Sequence, residues 1–306
     1  MCGMCGAAEA VAGCGRYGTE ANATESDAEF WPRVEHVSGP RLNRIRTMPS
    51  SQFIPKLNRL VIVRHGESDF NIGNRFCGWH DAPLSAIGVK EALTVAVPAL
   101  LQSKLEFDVV YTSVLSRSRE TADMILSNMN CSYVPVKEDW RLSERHYGNL
   151  TGERKREVAN TYGEDQVMQW RRAYDVAPPP IEETNRYYYT ICSNPIFDEV
   201  PPGHFPNSES MHMCVERVAP MWQEVRQELL KGSKVLMVVH GTVARALVQL
   251  IEGLSNDAIE KINIANCVPR VYEFDLTTGK LIGGGINLGN PDYIKRKVAE
   301  VAAIGQ

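Results

Sequence analysis

The stretch Leu60-Val61-Ile62-Val63-Arg64-His65-Gly66-Glu67-Ser68 decides how this chain is read. Four consecutive apolar residues, mostly β-branched, have the pattern of a strand buried on both faces, as strands of parallel sheets are. The run stops on an arginine, a histidine and a glycine. In open α/β sheets ligands bind beyond the carboxyl ends of the strands, so His65 falls where chemistry is expected. A second apolar run, Val235–Val239, ends in the same way on His240 and Gly241. Two buried strands that each deliver an imidazole at their carboxyl ends are a far rarer coincidence than one structural histidine. The glycine after each lets the backbone approach a ligand closely.

Outward from these two runs, β-branched segments alternate with amphipathic ones. Residues 60–63, 109–112, 133–136 and 235–239 have strand character, and 86–101, 118–127, 209–230 and 243–252 have helical spacing. A further strand is expected at 270–275, a turn at 277–279 and a last helix at 291–304. Strands alternating with helices give an α/β fold, a three-layer α/β/α arrangement with a mostly parallel central sheet. Residues 150–208 form a segment rich in Pro, Arg and Tyr with little regular periodicity. Such an insertion in an α/β domain is expected to be a binding lid. No internal repeat is visible.

Residues 1–57 differ from the rest. Small residues and acids dominate to Phe30, a basic stretch follows, and no periodicity is sustained, so a disordered extension is expected ahead of a catalytic domain at 58–306. Cys2, Cys5 and Cys14 lack a fourth ligand at metal-binding spacing and are expected to be plain thiols. Met48, just ahead of the first strand, offers an alternative start. No basic segment followed by an apolar one opens the chain, and the acids of the extension argue against a mitochondrial presequence. A cytoplasmic protein is expected.

Across 306 residues, 43% are apolar and 23% charged, the balance of a globular domain rather than a disordered or fibrous one. Lys and Arg number 33 against 37 Asp and Glu, a net charge of −4. Bulk electrostatics therefore give no reason to expect nucleic acid or a membrane surface as partner, and any anion site must be a local cluster of cations. The apolar runs are far shorter than the roughly 18–20 residues of a membrane span. The eight cysteines are scattered rather than spaced as a disulfide framework.

The run 60–68 resembles the signature of the histidine phosphatase superfamily. Further motifs narrow the resemblance to the cofactor-dependent phosphoglycerate mutases. These are Phe76-Cys77-Gly78-Trp79 with Asp81 and Leu84-Ser85, Tyr111-Thr112-Ser113 with Arg117, and Trp140-Arg141-Leu142-Ser143-Glu144-Arg145-His146-Tyr147-Gly148. Trp170-Arg171-Arg172-Ala173-Tyr174-Asp175-Val176, Pro178 to Pro180 and Ser208-Glu209-Ser210 complete the set. The resemblance covers residues 57 to about 305 and leaves the extension outside it.

It implies an isomerase that interconverts 3-phosphoglycerate and 2-phosphoglycerate, primed by 2,3-bisphosphoglycerate and using no metal, in glycolysis or gluconeogenesis. His65 is then the nucleophile that becomes a phosphohistidine. A neutral imidazole nitrogen is a competent nucleophile near pH 7, provided an acceptor holds the other ring nitrogen in the right tautomer. Arg64, Arg117 and His240 would surround the phosphoryl oxygens. Glu144 matches the general acid/base that moves a proton between the two substrate oxygens. Tyr147, Lys155, Arg171 and Arg172 match residues that hold the substrate's carboxylate and second phosphate. Ser68, Asn71, Cys77, Gly78, Gly241 and Thr242 fall at further phosphate-contacting positions. The family suggests a homo-oligomer, dimer or tetramer.

Several positions depart from the pattern. Gly241-Thr242-Val243 stands where mutases have Gly-Asn-Ser, Cys77 where they have Ser or Thr, and Ser193-Asn194-Pro195-Ile196-Phe197 where an Asp-Arg-Arg-Tyr run is common. The usual Lys-containing tail is also missing before Gln306. These departures bear on substrate closure more than on phosphohistidine chemistry. They raise two enzymatic alternatives, a histidine phosphatase and a bisphosphoglycerate mutase-like synthase. A non-catalytic, metabolite-binding paralogue is the alternative from another class, against which intact His65, Arg117, Glu144 and His240 argue.

Overall fold

The computed structural model describes residues 56–303. The extension expected at 1–57, with its three cysteines, lies outside the described residues except for its last two positions, as does Ile304.

Six strands form one sheet: β1 (Leu57–Arg64), β2 (Val109–Thr112), β3 (Val136–Glu138), β4 (Val235–Val239), β5 (Arg270–Asp275) and β6 (Leu281–Asn287). Their order is β3-β2-β4-β1-β5-β6. The β3/β2, β2/β4 and β4/β1 pairs are parallel, and β5 runs antiparallel to both β1 and β6. The fold is therefore α/β with a mostly parallel sheet, as expected.

Alternation along the strands builds two cores. Leu60, Ile62, Val109, Tyr111, Val235, Met237 and Val239 pack on one face. They meet helix Met211–Leu230, which turns Met211, Cys214, Val218, Trp222, Val225 and Leu229 toward them at helical spacing, and helix Gly241–Glu252. Val61, Val63, Val110, Leu236 and Val238 face the other way. There they pack on Ala92, Ala96 and Leu100 and on Ala122 and Ile125 of helix Ser116–Asn128. Central strands buried on both faces explain why β1 and β4 show no polar alternation.

Four differences from the sequence reading have local causes. The helix expected at 86–101 carries a π-helical segment, Ala92–Ala96, ahead of Pro98; proline has no N–H for the regular ladder. The strand expected at 133–136 starts only at Val136, because residues 131–134 close a turn (Val134 N–H to Cys131 carbonyl, 3.0 Å) and Pro135 donates nothing. β6 was not expected, since Gly283, Gly284 and Gly285 erase its strand signal. The segment 150–208 contains helices Lys155–Tyr162 and Glu164–Arg172, separated by Gly163 at φ 86°, and the short Tyr188–Cys192.

The register decides the site. Arg64 of β1 is opposite Val239 of β4, and the His65 amide donates to the Val239 carbonyl at 2.9 Å. His65 and His240 therefore leave the sheet side by side.

Candidate active site

The two imidazoles meet edge to face, ring centroids 4.9 Å apart and planes at 62°. Both are buried. His65 Nδ1 lies 2.6 Å from the Gly66 carbonyl, which can only accept, so Nδ1 carries the proton and Nε2 keeps its lone pair. Burial, then Arg117 and Arg64, holds the His65 pKa well below the ordinary range, and the ring is neutral at pH 7. The loop behind it is pinned by the Gly66 amide donating to Thr121 Oγ1 at 3.1 Å and by Asn266 Nδ2 donating to the His65 carbonyl at 2.7 Å.

His240 caps helix Gly241–Glu252. Its Nε2 lies 2.7 Å from the Ser113 hydroxyl, and its Nδ1 is buried without a partner among the described residues. Burial and Arg117 lower its pKa well below the usual value.

A single cleft is lined by Arg64, His65, Ser68, Asn71, Cys77, Gly78 and Arg117, together with Glu144, Tyr147, Lys155, Arg171, Arg172, Gly241 and Thr242. Fourteen of the fifteen residues singled out from sequence are thus brought together there, and the fifteenth, His240, packs against His65. Ser68 and Asn71 hold each other: the Ser68 amide and hydroxyl both donate to Asn71 Oδ1, at 3.0 and 2.9 Å. Arg117 reaches the cleft from helix Ser116–Asn128, its Nη2 and Nη1 donating to the Gly78 and His80 carbonyls at 2.8 and 3.0 Å. Gly78 sits at φ 57°, and a Cβ there would stand 3.0 Å from the Tyr147 amide nitrogen. Glycine keeps this wall of the cleft closed up.

Glu144 is oriented by backbone. Its Oε1 accepts from the Arg145 amide at 2.9 Å and the Thr242 amide at 3.1 Å. Oε2 takes only a longer bond, 3.4 Å, from the same Thr242 amide. One oxygen of the carboxylate is therefore anchored and the other is left for proton transfer.

Around this one carboxylate stand Arg64, Arg117, Lys155, Arg171 and Arg172. Burial lowers the pKa of Arg172 to about 10, with Arg171 adding to it, and that of Lys155 to about 7. Arg64 Nε and Arg171 Nη1 are buried and, among the described residues, unpartnered. Buried donors without acceptors, on cations that repel one another, suit a polyanionic ligand.

The sequence reading missed Arg75, Asn263 and Arg245. Arg172 Nη2 donates to Asn263 Oδ1 at 2.7 Å. Arg245 lines the cleft one turn into its helix, lowered to about 10 by burial and then by Arg172. An arginine inside the apolar run Val243–Val248 was the signal available. Arg75 and Asn263 lie in loops with no such contrast. Among the described residues, no three His, Cys, Asp or Glu side chains are grouped so as to hold a metal ion, and no helix is long and apolar enough to cross a membrane.

The chain matches a known protein family. The model of the histidine phosphatase superfamily (branch 1) matches residues 60–190 and 193–283. A 2,3-bisphosphoglycerate-dependent phosphoglycerate mutase of Borreliella afzelii is 39% identical over 249 residues, spanning 81% of this chain and 98% of that one. Among solved structures, a mycobacterial hydrolase superposes with a TM-score of 0.56 at 20% identity, covering 76% of this chain and 97% of its own. A phosphoglycerate mutase from Bacillus anthracis gives a TM-score of 0.53 at 19% identity, covering 82% and 98%. The last two likenesses concern the fold alone.

Proposed function

Because the chain belongs to the histidine phosphatase superfamily, branch 1, and within it to the 2,3-bisphosphoglycerate-dependent phosphoglycerate mutases, we propose that it interconverts 3-phosphoglycerate and 2-phosphoglycerate through a phosphohistidine on His65. The observation that carries this reading is the His65 ring, neutral, with Nδ1–H on the Gly66 carbonyl and Nε2 free beside Arg64, Arg117 and His240. A fixed tautomer and surrounding donors are what phosphoryl transfer to nitrogen requires.

The cationic cleft with its unpartnered arginine nitrogens fits 2,3-bisphosphoglycerate, held by Lys155, Arg171 and Arg172 at one end and by Ser68, Asn71 and Arg117 at the other. When bound, this bisphosphate supplies the phosphoryl group that primes His65. Arg64 and Arg117 neutralise the equatorial oxygens during transfer. Glu144, through Oε2, gives a proton to the leaving substrate oxygen and takes one from the attacking hydroxyl. Lys155, Arg171 and Arg172 hold the end of the substrate that does not react, so the doubly phosphorylated intermediate stays long enough to return the phosphoryl group on its other oxygen to His65, which releases the isomer and leaves the phosphohistidine restored. The segment 150–208, which carries these three, acts as the lid of a catalytic domain at 58–306. The reading includes a cytoplasmic homo-oligomer that needs no metal.

Thr242 supports a second outcome at the same site. Threonine reaches less far than the asparagine usual in mutases, and water admitted beside His65 would turn transfer into hydrolysis.

The test is an assay of isomerisation and phosphate release on one preparation, with and without 2,3-bisphosphoglycerate and with EDTA. We expect isomerisation to dominate, to require the bisphosphate and to survive EDTA. Mass spectrometry should find a labile phosphate on His65, absent in His65→Ala. Phosphate release outpacing isomerisation would favour the phosphatase, loss of activity in EDTA would overturn the metal-free reading, and no phosphorylation at all would point to the non-catalytic paralogue.

A further inference from the structure

The His240 ring packs edge to face on His65, and a chain of two hydroxyls leads away from its Nε2. Its Nε2 is 2.7 Å from Ser113 Oγ, which is 2.6 Å from Ser118 Oγ. The Leu115 amide donates to Ser113 Oγ at 3.1 Å, and Ser118 Oγ is 3.0 Å from the Leu115 carbonyl. His240, Ser113 and Ser118 are all fully buried, so no water completes the network from outside.

A hydroxyl has one proton and two lone pairs, which leaves two ways to place the protons around a neutral ring. In the first, Ser118 donates to the Leu115 carbonyl, Ser113 donates to Ser118, and His240 Nε2–H donates to Ser113. Nδ1, which has no partner among the described residues, then carries a lone pair. In the second, Ser118 donates to Ser113 and Ser113 donates to Nε2. The ring proton then sits on Nδ1. An anionic phosphoryl oxygen is repelled by a lone pair and accepts a hydrogen bond from an N–H.

We propose that Ser113 is a positioning residue for His240: in the working enzyme its hydroxyl donates to Nε2, backed by Ser118, and so presents Nδ1–H to the phosphoryl group. The proposal rests on the reading of His240 as a phosphoryl-facing donor. It assigns a role to the buried pair Ser113 and Ser118, which the mechanism otherwise leaves unused, and it explains why a polar cluster is tolerated there.

The experiment labels the histidines of the full chain with 15N and records the protonated ring nitrogen of His240 with and without inorganic phosphate, His240→Gln supplying the assignment. With phosphate, the unaltered protein should show Nδ1–H. Ser113→Ala should lose that preference, and phosphorylate His65 at least about tenfold more slowly from the bisphosphate with KM within about twofold. Ser113→Thr should restore the spectrum. Ser118→Ala leaves Ser113 with Nε2 as its remaining acceptor, so it should show Nδ1–H even without phosphate. A merely structural role would lower the stability of both alanine variants and leave the ring signature in place. The proposal is overturned if Ser113→Ala keeps the Nδ1–H signature with phosphate, or if Ser118→Ala shows Nε2–H. Should the unaltered protein form no phosphohistidine, the functional reading fails, while the ring signature still decides the role of Ser113.

Discussion

Lys155 Nζ donates to Asn74 Oδ1 at 3.2 Å and, among the described residues, has no carboxylate within ion-pair distance. Burial first, and then Arg171 and Arg64, bring its pKa down to about 7. A group whose folded pKa lies below its ordinary value of roughly 10.4 is charged only below the lower figure. In its proposed role the lysine would hold a substrate anion as a cation below pH 7, and it loses that charge as the pH climbs. We expect KM for 3-phosphoglycerate to rise between about pH 6.5 and 8.5, above the second phosphate ionisation near 6 that acts the other way. Lys155→Arg, charged throughout, should flatten the rise, and steady-state kinetics across that window check it. The same shift makes the unfolded chain bind more protons between about pH 7 and 10.4, so this lysine's contribution to stability grows with pH there.

At the scale of elements, the strand ends are aimed by a close crossing. A Cβ on Gly88 of helix Ala86–Glu91 would overlap the Glu67 carbonyl oxygen, and one on Gly66 would overlap the Gly88 carbonyl. Backbone meets backbone there, and only glycine on both sides allows it. Gly88→Ala should push the helix off the His65 loop, lower stability by about 1–3 kcal/mol and, by moving His65, the proposed nucleophile, cut kcat about a hundredfold. Lys90→Ala on the exposed side of the same helix should change stability by less than about 0.5 kcal/mol. Urea unfolding and turnover of both variants check this pair. The sequence shows the glycines but not that they touch, because a contact between residues 66 and 88 has no periodic signature. What was legible is what periodicity and strand ends carry: β1 and β4, their terminal histidines, and the helices that pack on them. The three-residue shift of β3 came from Pro135, and β6 was hidden by three glycines. Helices Lys155–Tyr162 and Glu164–Arg172 are short and mostly polar, so they leave little apolar pattern to read. Arg171 and Arg172 were legible only through the motif around them.

At the scale of the molecule, the residue that follows segment 150–208, helix Met211–Leu230 and the Glu144 loop are tied by one buried ion pair. Arg217 donates to Glu209 through Nε at 2.6 Å and Nη2 at 2.8 Å, and through Nη1 to the Arg141 and Ser143 carbonyls at 2.7 and 2.9 Å. Glu209 in turn accepts from the His146 amide at 2.8 Å. Both side chains are less than a tenth exposed. Such a pair contributes little net stability over a well-packed apolar pair, yet removing one partner strands the other charge in a dry interior. Arg217→Met should therefore lower the unfolding free energy by about 3–5 kcal/mol. The double variant Arg217→Met with Glu209→Leu should recover part of that loss, since no charge is left unpaired. The two differ again in activity: both lose the hydrogen bonds to the 141–144 backbone that place Glu144, so kcat should stay low in the double variant even where stability returns. Denaturant midpoints at constant slope, set beside kcat for the same preparations, separate the two effects. Stability and activity recovering together would mean that Arg217 acts on catalysis only by keeping the chain folded.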